Sequence, residues 1–404
     1  MQPTRRLHLT DSRCFAFDAQ VAATSSHEDK PTLVLDRTAF YAEGGGQLGD
    51  RGTLDVAGGR VRVLDTRIDG EVVHHVLEHR VEVGPGDRVS GVLDREHRLG
   101  QMAEHTAQHV LSEALVRWAD ANTASSRLGE RSTTIDLDRH DVSADALAEV
   151  EERVNALVRE DRPVHVHFPS PAELANMTLR SRPKVDEGIR VVEVDGFDWT
   201  PCGGTHCTTT AQIGIVRIVG TEKWGGGLRV RFVAGRHALD DYRTKDRVLG
   251  SLAQRFTCGP SDVPAAVSKL SAGLKETQQA LGAARKELVG LVAEATLAAH
   301  PPTGSSVPIV LVRPHDDVAT IRALSVRLTA RPDVIAFVVC REGDGWLFAA
   351  RHGDDVTFDL GGFVRRDLAA WNARGGGRPP TAQGRFASDP DWDAVRRVLE
   401  LAES

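Results

Sequence analysis

Cysteine is scarce in this 404-residue chain: Cys14, Cys202, Cys207, Cys258 and Cys340 are an odd number, thinly spread. A disulfide scaffold is therefore not expected, and a reducing, cytoplasmic compartment is. Long apolar runs are missing as well. Nowhere do about 18 uncharged apolar residues follow one another, and the opening MQPTRRLHLTDSRC has no apolar stretch of signal-peptide length behind its basic residues, so no membrane association is expected. Nor is there a cationic excess. The 50 basic and 57 acidic residues leave a formal net charge of −7, which excludes a chain-wide cationic surface for nucleic acid or anionic lipid and confines any such partner to a local patch. Lysine supplies only seven of the 50 cations. The rest are arginine, suited to planar contact with phosphate, although genome base composition produces the same bias.

The length implies two to four domains of about 100 to 200 residues each. The pattern reads as a multidomain α+β protein. Residues 1–95 hold short β-type runs (CFAFDAQVAA, TLVLDRTAFY, RVRVLDTRI, EVVHHVLEHRV) broken mostly at glycine, which predicts a small β-barrel. Residues 96–240 mix strands with two helices: one from Glu96 to about Trp118, the other carrying Leu147, Val150, Val154, Leu157 and Val158 on one face. A Ser/Thr-rich turn at Thr123, Ser125 and Ser126 and the strand STTIDLD lie between them. In 241–300, Val267, Leu274, Leu281 and Leu288 recur every seven residues with Leu270, Thr277, Ala284 and Leu291 between them, which predicts a helical hairpin or coiled-coil arm. The small residues of the second series weaken a dimer, and a homodimer through the arm or the last domain stays open. Residues 301–404 alternate strand and helix as a C-terminal α/β domain, with GGGRPPTAQG as a loop and a last helix starting near Pro390, capped by Ser388 or Asp389.

Two residue pairs carry the chemistry. His105 and His109 stand four apart in EHTAQHVL, which on a helix puts both imidazoles on one face about 6 Å apart at Cβ. Cys202 and His206 stand four apart in PCGGTHC, where Gly203 and Gly204 let the backbone fold back. Either pair alone is a common coincidence. Together they supply three nitrogens and one sulfur, a donor set softer than magnesium or calcium chooses and fit for one zinc ion. Cys207 is the alternative sulfur, but a strand-like continuation turns it to the opposite side of His206. Four protein ligands can also make a purely structural site.

The HTAQH and CGGTH motifs, with TAFYAEGGGQLGDRGTL at Thr38–Leu54, IRVVEVDGFDWTPCGGTHC, the IGIVRIV strand and GGGRPPTAQG at Gly375–Gly384, resemble the alanyl-tRNA editing proteins, relatives of the editing and C-terminal domains of alanyl-tRNA synthetase. The resemblance covers nearly the whole chain. It departs at Ala211 and Gln212, where the family usually has Gly-Glu. It implies zinc-assisted hydrolysis of the ester joining serine or glycine to tRNA(Ala), with His105, His109, Cys202 and His206 as metal ligands and catalytic centre. No stretch resembles the ATP-binding motifs of class II synthetases, so editing in trans is the expectation. Such an activity has a physical rationale: a site built for alanine's methyl group rejects an added hydroxyl or a missing methyl by only about 1–3 kcal/mol.

The resemblance extends to the surroundings of the metal. Gly44, Gly45, Gly46 and Gln47 read either as a turn with positive-φ residues or as bare backbone beside which the tRNA 3′ end can approach. Gln108 points about 100° away from His109 on the helix and suits a supporting role. Ser125 or Ser126 could hydrogen-bond the hydroxyl of a bound serine, or be an ordinary polar turn; Thr205 belongs with them as a substrate contact. Gly376, Gly377, Arg378, Gln383, Arg374 and Arg385 fall in the window 361–385, where five arginines meet one acidic residue for a local charge of +4, a flexible cationic loop suited to a phosphate backbone. His74, His75, His165 and His167 lie on strand-like runs and are expected at or near the surface. Asp136 and Asp138 are open candidates for carboxylates behind the metal ligands. Competing readings are editing of Ser-tRNA(Thr), a non-catalytic zinc-containing RNA binder, and a zinc peptidase; the last needs a glutamate after the first histidine, where this chain has Thr106.

Overall fold

Alternating burial in the first ninety residues rolls them into a barrel. A computed structural model describes residues 2–27, 29–183, 188–387 and 389–403. They form two compact units, Met1–Leu252 and Ala253–Ser404. In the first unit, strands β1 (Ala16–His27), β2 (Lys30–Leu35), β3 (Gly52–Val56), β4 (Gly59–Asp69), β5 (Val72–Leu77) and β6 (Arg88–Leu93) close in the order β1-β2-β5-β4-β3-β6, every neighbour antiparallel. Along β6 exposed and buried residues alternate strictly, the period of a strand with one face inward. Val21, Leu33, Leu35, Phe40, Leu54, Val63 and Leu77 fill the interior.

One histidine departs from expectation. His75 is fully buried, because strand alternation turns one member of the His74–His75 pair inward. Inside, its two ring nitrogens meet Thr38 Oγ1 at 2.8 Å and the Leu33 carbonyl at 2.9 Å, and burial pulls its pKa down to about 4, so it stays neutral.

Helix α1 (Arg95–Ala119) follows β6, with the Asp94 carboxylate accepting from His97 N at its start. Its Val110, Leu111 and Leu115 pack with Val150, Val154 and Leu157 of α2 (Ala144–Arg159), and with Ile135, Val230 and Phe232 of a sheet. That sheet is ordered β12-β13-β8-β7, built from β7 (Thr123–Leu128), β8 (Thr133–Leu137), β12 (Val216–Trp224) and β13 (Gly227–Ala234). The expected Ser/Thr turn is thus strand β7: its residues pair with β8, Ser125 opposite Asp136, and the hydroxyl bonds that carboxylate across the ladder. A second sheet joins β9 (Val164–His167), β10 (Val191–Val194) and β11 (Asp198–Pro201).

The stretch expected as an arm is two helices, α3 (Gly235–Phe256) and α4 (Val263–Ala299). Leu270, Leu274, Leu281, Leu288 and Leu291 of α4 are exposed. Near its end, Val289 and Ala293 enter a core with Ile321, Leu324 and Val338. The second unit's sheet runs β14-β15-β16-β18-β17, from β14 (Val307–Val312), β15 (Val334–Glu342), β16 (Gly345–His352), β17 (Ala373–Gly376) and β18 (Thr381–Phe386). β14 and β15 are parallel, joined through α5 (Val318–Leu328), and the other pairs are antiparallel. Glycines and arginines read as a flexible loop therefore form an edge hairpin, β17–β18, preceded by α6 (Leu360–Arg366). Close backbone approach requires its glycines: a Cβ on Gly375 would meet Gln383 O at 2.3 Å. The last helix, α7 (Trp392–Glu403), begins two residues later than expected. Asp391 accepts from the backbone of Asp393 and Ala394, in place of Asp389; Ser388 lies outside the described residues. Among the described residues no helix is long and apolar enough to cross a membrane.

Candidate metal centre

Helical spacing brings His105 and His109 onto the same stretch of α1, and β11 ends where the Cys202–His206 loop begins. The four ligand atoms of His105, His109, Cys202 and His206 lie within 4.8 Å of one another. Ring centroids are 5.1 Å apart for His105–His109, 4.3 Å for His105–His206 and 4.5 Å for His109–His206. Cys202 Sγ is 3.5 Å from His105 Nε2 and 3.3 Å from His206 Nε2. Burial alone would raise the Cys202 thiol's pKa; the three imidazoles around it hold it well below the usual range, as a metal-binding thiolate requires. The set of three nitrogens and one sulfur matches zinc's preferences.

Each imidazole is steered from behind. His105 Nδ1 lies 2.9 Å from Gln47 Oε1, which also accepts from Thr205 N at 3.0 Å, while Gln47 Nε2 donates to Thr205 Oγ1 at 2.9 Å. Gln47, read as a substrate contact, is fully buried here, and Thr205 with it. His109 Nδ1 sits 3.4 Å from Asp198 Oδ2, and Asp198 is in turn gripped by Arg180 Nε at 2.9 Å and Thr200 Oγ1. Thr106 Oγ1 gives its proton to Met102 O and is left to accept His206 Nδ1–H at 3.3 Å. With Nδ1 hydrogen-bonded in His105 and His206 and facing the Asp198 carboxylate in His109, Nε2 is the nitrogen left for a metal.

Gly204 carries the tight constraint in the loop. A Cβ there would stand 2.2 Å from His105 Cε1 and 2.8 Å from Gln47 Oε1, whereas one on Gly203 would meet nothing. Cys207, the alternative sulfur, packs behind the loop with Met102 and Ala103, and burial lifts its thiol pKa to about 11. Helix α1 is anchored to the barrel segment by Arg98, wholly buried, which pairs with Asp50 and donates to Ser12 O and Ala39 O; Asp50 also accepts from Tyr41 N.

A cavity of 430 Å³ opens beside the metal donors, within the range of small-molecule sites. Its lining includes His105, Cys202, Gly44, Gly45, Arg190 and Phe168. Gly44 and Gln47 bridge each other, and Gly45 and Gly46 have φ of 59° and 89°, so the EGGGQ segment is a left-handed turn that also forms part of the cavity wall. Gly46, Gln47, Gln108, Ser125, Ser126 and Thr205 are outside the described lining. Gln108 donates to Ser112 Oγ. Asp136 holds Arg229 and Ser125, and Asp138 holds Asn122, so neither carboxylate backs a metal ligand. A hollow of 1120 Å³ at the barrel's β1–β2 end contains no cluster of metal donors among the described residues. In the second unit, Arg374, Arg378, Gln383 and Arg385 are exposed on the hairpin with Gly376 and Gly377, Arg374 directly opposite Arg385.

Sequence reasoning missed Asp198, Arg98, Arg190 and the roles of Gln47 and Thr106. Thr106, Arg190 and Asp198 sit inside the very motifs that contain the metal donors, and Gln47 in the glycine-rich motif of the barrel, but nothing in a sequence says that a polar side chain faces inward.

The sequence matches two family models: "tRNA synthetases class II (A)" over residues 12–97, the barrel, and "Threonyl and Alanyl tRNA synthetase second additional domain" over residues 189–230, which contains the Cys202–His206 loop. It is 32% identical to the alanine–tRNA ligase of Methanoculleus marisnigri over 100% of this chain and 43% of that protein. It is 29% identical to that of Thermosynechococcus vestitus over 95% of this chain and 44% of that protein. The chain thus spans less than half the length of these curated relatives. The solved C-Ala domain of the Aquifex aeolicus alanyl-tRNA synthetase aligns with 26% of this chain and 98% of its own, at 22% identity and a TM-score of 0.24. Matched from end to end by alanine–tRNA ligases and carrying the second additional domain around its metal-donor loop, the chain belongs to the alanyl-tRNA synthetase-related proteins.

Proposed function

We propose that this protein is a trans-acting editing hydrolase that cleaves the ester linking serine or glycine to tRNA(Ala). The observation that carries the reading is the His105–His109–Cys202–His206 donor set, of which His105 and Cys202 line a cavity whose wall includes the bare backbone of Gly44 and Gly45. Zinc held by those four residues would supply a Lewis acid and a water of lowered pKa. The chain's own residues do the rest. Gln47 and Thr106 hold the Nδ1 atoms of His105 and His206, and the Asp198 carboxylate faces that of His109, which orients each ring. Gly204 lets His105 lie against the loop, and the turn at Gly44–Gln47 leaves room for a ribose 3′ end. The exposed Arg374 and Arg385 are like charges side by side on adjacent strands, an unfavourable pairing that an RNA phosphate would relieve. The likeness to alanine–tRNA ligases favours the alanine acceptor over the threonine one.

The test is deacylation of Ser-tRNA, Gly-tRNA and Ala-tRNA on the alanine acceptor, and of Ser-tRNA on the threonine acceptor, with and without chelator. Chelator-sensitive loss of serine or glycine from the alanine acceptor is expected, with Ala-tRNA spared. Binding of tRNA without turnover would leave a zinc-containing RNA binder instead, a reading that the closed four-ligand set also accommodates.

A further inference from the structure

Arg190 is 5% exposed and lines the same cavity as His105 and Cys202. Its Nε donates to Leu9 O at 3.0 Å, and its Nη1 to Cys202 O at 2.6 Å and Gly204 O at 3.0 Å, so the guanidinium is fastened to the metal-donor loop itself. Nη2 is buried and has no hydrogen-bond partner among the described residues. No carboxylate among them lies within 4.0 Å of it either. Two other arginines, buried Arg98 and half-buried Arg331, differ. Arg98 is neutralised by Asp50 and spends Nε, Nη1 and Nη2 on protein oxygens. Arg331 also leaves Nη2 unpartnered, but it is paired with Asp333. A buried cation with one idle donor and no paired carboxylate among the described residues, its main opposite charge being the Cys202 thiolate, is costly in a merely structural role. It is what a site needs where negative charge develops during reaction, because a donor already held in place costs no reorganisation at that moment.

We infer that Arg190 is a catalytic residue of the proposed ester hydrolysis, on which this assignment rests: its free Nη2–H donates to the carbonyl oxygen of the bound aminoacyl ester. As water attacks, its oxygen bonds to the carbonyl carbon and the π pair moves onto the carbonyl oxygen, where the guanidinium N–H meets it. The carbon–oxygen bond to the ribose then breaks with its electron pair, the ribose oxygen takes up the proton released by the attacking water, and amino acid and free tRNA hydroxyl are the products. Arg190 gives up no proton, since a guanidinium stays charged at every working pH.

The experiment measures kcat and KM on Ser-tRNA(Ala) for the full-length wild type, Arg190→Met and Arg190→Lys, with metal content determined on each preparation. Loss of one fixed donor of this kind lowers kcat about 10²–10³-fold. That loss is expected in Arg190→Met with KM little changed and metal content retained. Arg190→Lys, which keeps the charge but not the forked donors, is expected to recover only part. Wild-type kcat in Arg190→Met, or a fall that tracks lost metal in both variants, overturns the assignment. If Arg190→Met does not fold, Arg190→Lys decides: full metal with reduced kcat supports it, and wild-type kcat sinks it. A wild type inactive on every charged tRNA would overturn the hydrolase reading itself, whereas an active wild type with unaffected variants removes only Arg190.

Discussion

At Gly204 the missing side chain makes room for an imidazole; at Gly375 and Gly384 it makes room for the backbone of the neighbouring strand. A Cβ on Gly204 would stand 2.4 Å from His105 Nδ1, while one on Gly384 would stand 2.3 Å from Arg374 O and 2.5 Å from Phe348 Cζ. In the sequence both are glycine-rich segments beside an expected ligand, Gly203 and Gly204 as a turn that lets two metal donors meet and Gly375–Gly384 as a flexible loop suited to phosphate. The first serves the metal donors directly. The second builds a tight hairpin that displays its arginines, so any contact with RNA there falls to the exposed cations and not to the bare backbone. What would occupy the Cβ position, rather than the number of glycines, tells the two uses apart.

The sharpest way to break this contrast is at the ligands. Cys202→Ala should reduce bound metal, read by elemental analysis, from one ion per chain to background and abolish deacylation, with the far-UV circular dichroism of the C-terminal sheet retained. Next, Asp198→Asn, which weakens the grip on His109 Nδ1, should cost about 10–100-fold in metal affinity by competition with a chromogenic chelator. Gly204→Ala and Gly384→Ala then form a matched pair. Each overpacks its site by about 1–3 kcal/mol. The first should appear as weakened metal binding and the second as a lower urea midpoint with metal content unchanged; the same phenotype in both would erase the distinction between the two glycines. Smaller still, Arg374→Gln with Arg385→Gln should reduce the slope of log affinity against log salt for tRNA by roughly 2, about one for each phosphate no longer neutralised. The smallest effect is expected from Ser125→Ala with Ser126→Ala: the Ser125 hydroxyl is committed to Asp136, and neither residue is in the described lining of the cavity. The preference for serine over alanine should stay as it is in a side-by-side deacylation assay, and a changed preference would return these hydroxyls to the substrate.

The site was legible in so far as spacing encodes it. His105 and His109 are brought together by the helical repeat itself, and Cys202 and His206 by a loop too short to separate them, so the metal donors could be read without coordinates. The groups behind them could not. Gln47 reaches His105 across 58 residues and Arg190 reaches Leu9 across 181, and a one-dimensional pattern does not say which polar side chains such distant segments turn inward. His75 shows the same limit: alternation requires one of two adjacent histidines to face the barrel core, but which one depends on the register that pairs β5 with β2 and β4. The GGGRPPTAQG stretch was misread as a loop because glycine and proline signal turns locally, whereas pairing with β16 and β17 makes most of its second half a strand.

By itself, then, the sequence determined the barrel, the α1 helix with its two histidines on one face, the Cys-His loop and the alternating C-terminal module, because these depend on periodicities of two and 3.6 residues and on short-range spacing. Only the tertiary structure decided that Gln47, Asp198 and Thr106 stand behind the imidazoles, that the cavity-lining Arg190 keeps an idle donor, and that Ser125 faces Asp136. Those outcomes depend on which distant backbones pack together, and burial then obliges each polar group to find a partner or to wait for one.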